Sequence, residues 1–165
     1  MAICRIRQLG DPILREPCAL VDDWRDALPV LADLRDTLHE FQRSHGFGRG
    51  IAAVQIGVAL RVIFIEIEGR AFSFINPRWE FLSDEKFTLW DDCFSFPDLL
   101  VRLERSVNAR VSYIDETGES RTLEVQRAFA ELLQHEVDHL DGILAIDRAF
   151  GENALCTREE YNRRY

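Results

Sequence analysis

His135 and His139, in the stretch QHEVDHLDG, stand four residues apart with Glu136 directly after the first. A helix turns by about 100° per residue, so positions four apart stack on one face. Two imidazoles placed this way can each aim a nitrogen at one shared point, about 2 Å from either in a metal site. Glu136 lies one residue further round, near enough to act as general base on a coordinated water without being a ligand. The chain has only 4 histidines, so two of them in this spacing point to a metal rather than to chance on a solvated helix. His39 and His45 read instead as helix-surface or turn residues.

Two histidines do not complete a catalytic metal site, which takes three protein ligands and leaves a place for water. In metalloproteases with this motif the third ligand comes later in the chain, and here that leaves Glu152, Glu159 and Glu160. Upstream, LWDDCFSFP offers Cys93, a soft donor just before a proline-marked turn; a thiolate with two imidazoles suits zinc or ferrous iron. The other cysteines, Cys4, Cys18 and Cys156, are widely spread and form no CxxC pair, so they read as reduced and mostly buried thiols. A third stretch, GRGIAAVQIG, places Gly48 and Gly50 where backbone can approach a ligand closely. Gln55 follows, with an amide able to donate to a developing oxyanion.

These residues need elements to hold them. From Ala27 the apolar positions Val30, Leu31, Leu34, Leu38 and Phe41 have helical spacing, with Asp22, Asp23 and Asp26 ahead of them and the glycines of SHGFGRG behind. Strand-like runs follow: RVIFIEI, AFSFI, RWEFL and RSVNARVSYI. Then comes a turn at DETGES leading into RTLEV. From about Gln126 the period is helical again, through Phe129, Leu132, Leu133 and Leu140, and LDG ends that helix. Thr157 and Glu160 have capping-box spacing, which predicts a short last helix. Trp24, Trp79 and Trp90 read as local packing residues. The order helix, strands, helix indicates an α+β fold with mainly antiparallel sheet, in one domain over residues 1–165.

Composition narrows the partners. A net charge of -9 argues against nucleic-acid binding, because phosphate repels an acidic surface. No apolar run approaches the roughly 18 residues of a membrane helix, and the start MAICRIRQLGDPILREP lacks a signal peptide's apolar stretch. A soluble, cytoplasmic monomer is expected.

Together the three stretches resemble the peptide deformylase family. The pattern GxGxAAxQ matches Gly48 to Gln55, HExDH matches His135 to His139, and EGCLS is matched in part by Asp91-Asp92-Cys93-Phe94-Ser95. Further likeness runs from LGDPILREP through INP, at Ile75 to Pro77, to Ile146. The resemblance implies antiparallel sheets packed around the central HExxH helix, with Cys93, His135 and His139 as ligands of one divalent metal. That metal would be Fe(II), with Zn or Ni able to replace it. It implies Glu136 as general acid/base, Gln55 and the backbone N–H of Phe94 at the oxyanion, and Gly50 paired with substrate backbone. The implied reaction removes the N-formyl group from the formyl-methionine of nascent polypeptides and releases formate. A transient ribosome contact is a further implied partner, with the mixed-charge tail TREEYNRRY as its candidate.

The departures concern the loop and the pocket. Asp91, Asp92 and Phe94 replace Glu, Gly and Leu. Asp92 either turns to solvent or accepts a hydrogen bond from a ligand histidine. Arg49 stands where the family has an apolar residue, and Glu131 shares the ligand face of the helix four residues before His135. By resemblance both border the pocket for the methionine side chain. They are expected either to pair there or to reach solvent at the rim. Leu100 stands near where relatives carry a peptide-steadying arginine. Two alternatives therefore stay beside the formyl-peptide hydrolase: a metalloprotease with a downstream ligand, and a deformylase-like protein with another formyl-amide substrate or little activity.

Overall fold

In the computed structural model, which describes residues 2–165, the apolar period from Ala27 becomes helix α1 (Ala27–His45). Gly46 closes it in the left-handed conformation, with φ 77°. Of the three aspartates ahead of it, Asp23 caps a preceding 3-10 turn, Trp24–Asp26, by accepting from Arg25 N. Asp26, next to the helix itself, makes no side-chain cap.

A five-stranded antiparallel sheet carries β1 (Gly50–Ala52), β2 (Val62–Ile67), β3 (Arg70–Leu82), β6 (Asn108–Ile114) and β7 (Ser120–Gln126), side by side in that order. A three-stranded sheet has β5 (Leu99–Ser106) between β4 (Lys86–Asp92) and β8 (Leu155–Thr157). Helix α2 (Arg127–Leu140) contacts strands of both sheets, and α3 (Arg158–Arg164) ends the chain. The expected α+β, mainly antiparallel architecture is therefore present, with the HExxH helix between the sheets.

The run VIFI in β2 is buried on both faces, which explains why it lacks polar alternation. Val62 and Phe64 pack with Leu31, Leu34 and Leu38 of α1, while Ile63 and Ile65 pack with Leu133, Val137 and Leu140 of α2. At about 25 cal/mol per Å² of apolar surface, burial in these two layers is the main stabilising contribution to the fold.

Three segments differ from the sequence expectation. AFSFI and RWEFL are one strand, β3, continuous through Asn76 and Pro77. Its partner β2 ends opposite Ile75, and the pairing with β6 shifts between Ile75 and Arg78, so proline occupies an irregular position where its missing N–H costs no ladder bond. RSVNARVSYI is split in two, because Val107 is the crossing point from the smaller sheet to the larger. KFTLWDD, not anticipated as a strand, is β4, and its hairpin with β5 has CFSFPD as its tip. Beyond these, the turn at Asp115–Gly118 and the Thr157 cap on Glu160 N form as expected.

Candidate metal centre and its cleft

Helix α2 is buried from Ala130 to Leu140 although Glu131, Gln134, His135, Glu136, Asp138 and His139 are polar. Burial of that many polar groups is costly unless each has a partner, so the helix marks a site. His139 Nε2 lies 3.2 Å from His135 Nε2 and 3.3 Å from Cys93 Sγ. The three ligand atoms all lie within 4.8 Å of one another, and no other such group occurs among the described residues. Donors bonded at about 2.0–2.3 Å to one tetrahedral ion stand about 3.3–3.7 Å apart, so both distances from His139 are close to those of a mononuclear site. A sulfur and two ring nitrogens are also donors such an ion takes. The downstream Glu152, Glu159 and Glu160 do not join the group.

The surroundings orient these ligands. Asp91 Oδ2 accepts from His135 Nδ1 at 2.8 Å, which turns Nε2 toward the cluster. Burial would raise the Asp91 carboxyl, but His135 and Arg105 beside it hold it below the usual range. Arg105 ties Asp91 to Asp138, and Arg148 binds Asp138 through two 2.6 Å bonds, so α2 is anchored to β5 and to the turn after it. Burial and neighbouring His135 drive His139 well below its ordinary pKa, which keeps it in the neutral form a ligand needs.

Cys93 rides on the β4–β5 hairpin tip. The N-terminal segment holds this tip: Leu9 N donates to Ser95 O at 2.8 Å and Gln8 Nε2 to Phe94 O at 3.2 Å. Gln55, on the 3-10 turn Ala53–Ile56, accepts from Ala52 N at 2.9 Å through Oε1. That fixes its amide so that Nε2 faces Ser95 Oγ at 3.3 Å and Cys93 Sγ at 3.6 Å. Burial pushes Glu136 up to about 7, with Asp91 and Glu131 adding to the rise against His135 and Arg49. Its Oε2 is buried without a hydrogen-bond partner. Gly50 permits this approach, since a Cβ there would stand 2.8 Å from Glu136 Oε1. Gly48 has φ +127°, and its Cβ would fall 2.5 Å from Phe94 Cζ.

These residues open on a cleft of ≈ 520 Å³ lined by Gly48, Arg49, Gly50, Gln55, Cys93, Phe94, Leu100, His135 and Glu136. A larger cleft, ≈ 690 Å³, lies around Asn76, Trp79 and Thr122 and contains none of the ligand residues. Arg49 Nη2 donates to Glu131 Oε1 at 2.6 Å, so of the two alternatives the pair forms, with Glu131 buried. Asp92 does not bind a ligand histidine and is not simply turned to water. It accepts from Arg158 Nη2 at 2.7 Å, and the histidine's acceptor is Asp91.

Sequence reasoning missed Arg158, Tyr161 and Trp90, all of which line the cleft. Arg158 also lies over the Phe47 ring, and Trp90 meets Tyr161 edge to face. Trp24 instead backs the Gly118 turn, and Trp79 packs against the α2 core. His39 pairs with Glu66 and His45 stacks on Phe41, away from the metal cluster as expected. Of the remaining cysteines only Cys18 is buried; Cys4 and Cys156 are partly exposed.

A cysteine sulfur and two imidazoles around one point, beside a buried carboxylate and a fixed amide, are a donor set that could hold one metal ion, the arrangement of a mononuclear hydrolytic class. The chain belongs to the polypeptide deformylase family, whose pattern matches residues 3–154. It is 40% identical over 147 residues to a peptide deformylase of Bartonella tribocorum, covering 84% of this chain and 80% of that one. It is 38% identical over 151 residues to one from Natranaerobius thermophilus, covering 90% and 94%. The fold superposes on the peptide deformylase of Thermotoga maritima with a TM-score of 0.85 at 30% identity, covering 92% of this chain and all of that one. The Synechococcus elongatus enzyme in complex with actinonin matches with a TM-score of 0.81 at 31% identity, over 96% and 81%. Residues 155–165, with β8 and α3, lie beyond the family match.

Proposed function

We propose that this chain hydrolyses the N-formyl group of peptides, with nascent formyl-methionine polypeptides as the substrates implied by its family, and releases formate. The observation that carries this reading is the Cys93–His135–His139 cluster with Glu136 beside it, at the edge of an open cleft. Cys93, His135 and His139 would hold one divalent ion, Fe(II) in the native protein with Zn or Ni able to replace it. Such an ion supplies Lewis acidity and brings the pKa of a coordinated water to about 7 in well-studied zinc sites.

The protein's own groups do the rest. Glu136, poised near 7, takes a proton from the attacking water and returns it to the leaving amine. Gln55 Nε2 and the Phe94 N–H donate to the oxygen on which charge collects, and loss of one such donor typically costs about 3 kcal/mol in the barrier. The Gly50 backbone aligns the peptide. Phe94, with Phe41 stacked on it at a centroid distance of 3.8 Å, keeps the oxyanion side of the loop packed. A cytoplasmic monomer that meets the emerging chain at the ribosome fits this role.

The test is Glu136→Gln. Metal content should stay at one ion per chain while formate release from formyl-Met-Ala-Ser falls by about 10²-fold or more. Near-normal turnover in that variant refutes the assignment.

A further inference from the structure

The cleft wall beside Glu136 carries a charged pair. Arg49 immediately precedes β1, and its Nη2 reaches Glu131 Oε1 at 2.6 Å while Nη1 reaches Ala128 O at 3.4 Å. Glu131 stands one helical turn before His135 and its side chain is only 6% exposed; that of Arg49 is 43% exposed and lines the cleft. A guanidinium has five N–H donors, and these two contacts use two of them. The remaining donors meet water or whatever enters the cleft.

The position of this wall relative to the reaction decides what it touches. A formyl carbon attacked with Glu136 as base is bonded to the amide nitrogen of the first residue. That residue's side chain branches from the next atom. Gly50 is the residue whose Cβ would touch Glu136, and Arg49 is its chain neighbour. Because Arg49 adjoins Gly50 and lines the same cleft as Glu136, a first side chain held with its amide at Glu136 would meet the Arg49 guanidinium that Glu131 backs. An alkyl or thioether end pressed there takes guanidinium N–H groups out of water and offers no good acceptor in return. A terminal oxygen replaces the lost water directly.

We propose that Arg49, held in place by Glu131, makes the enzyme select formyl peptides whose first side chain ends in an oxygen acceptor, a carboxamide or a carboxylate, over methionine. This rests on the formyl-peptide hydrolase reading and replaces the family-implied methionine with a polar first residue as the preferred one. Sites built to hydrogen-bond a substrate group discriminate against analogues lacking it far more strongly than apolar pockets discriminate by size.

The experiment uses the full chain loaded with nickel and the peptides formyl-X-Ala-Ser, with X as Met, norleucine, Gln or Glu. The expected kcat/KM for Gln or Glu exceeds that for Met and norleucine by about tenfold or more. Gln above Glu shows a wall neutralised by Glu131, and Glu above Gln shows one with net positive charge; either result supports the proposal. In the double variant R49L/E131L the order should reverse in favour of Met, since exchanging a buried ion pair for apolar residues is often tolerated by the fold. Calorimetric binding of the same peptides to zinc-loaded Glu136→Gln provides a readout without turnover, and Gln or Glu peptides should again bind tighter. Met equal or best in the wild type, in turnover and in binding, overturns the selectivity while leaving the hydrolase reading intact. Hydrolysis of none of the peptides by wild type and double variant alike overturns both.

Discussion

Gly50→Ala tests how closely β1 must approach the catalytic helix. The added Cβ would lie 2.8 Å from Glu136 Oε1 and 3.2 Å from both Cδ and Cγ, against an ordinary contact of about 3.4–4 Å. One side must yield by roughly half an ångström. The Gly50 backbone is pinned by antiparallel pairing to Ile65, so the carboxylate is the part that moves. Stability should fall little, by about 1–2 kcal/mol, because a side-chain end shifts rather than the backbone. Activity should fall much more, because displacing a catalytic group by up to 1 Å can cost about 10²-fold. The assay is formate release from formyl-Met-Ala-Ser, with metal content and urea denaturation measured on the same preparation. The expectation is one ion per chain, a near-normal midpoint, and kcat lowered by about 10²-fold. A variant as active as wild type would refute the placement of Glu136 against β1.

Further outcomes follow from the residues around the site. Asp91→Asn removes the anionic acceptor of His135 Nδ1, so metal affinity measured by competition with a chelator should weaken about 10–100-fold; unchanged affinity would show that Asp91 does not orient the ligand. Burial pushes the Cys18 thiol from 9.0 up to about 11, so the folded state holds this proton more tightly than the unfolded chain. Its contribution is complete below about pH 9 and is lost as pH rises through 11. The stability of wild type relative to Cys18→Ala should therefore fall by about 2–3 kcal/mol between pH 8 and pH 11, read from denaturation midpoints. A pH-independent difference would contradict burial of that thiol.

What could be read from the sequence depended on range along the chain. His135, Glu136 and His139 are set by a single helical turn, so their common site follows from spacing alone. Cys93 needed a hairpin to reach them, and its role came from donor chemistry and from the likeness of three ordered motifs. Asp91 and Asp92 are adjacent acids whose fates differ because β4 alternates. Phe87, Leu89 and Asp91 are in phase, and Asp91 is buried beside His135. Asp92 is out of phase and meets Arg158. That alternation was visible in KFTLWDD and would have identified Asp91 had the strand been recognised. Arg105, Arg148 and Arg158 had no local signature at all. Each acts through a contact made only after the two sheets close on α2 or the tail returns to the cleft. The merged strand β3 was hidden by Pro77, which ordinarily argues against a strand interior and is accommodated here by the shift in pairing with β6.

X-ray absorption at the metal edge of the zinc-loaded protein tests the centre most directly. One sulfur at about 2.3 Å and two imidazole nitrogens at about 2.0–2.1 Å are expected, with the sulfur lost in Cys93→Ala. A shell without sulfur in the wild type, filled instead by carboxylate oxygen, would contradict the joint grip of the hairpin thiolate and the helix imidazoles.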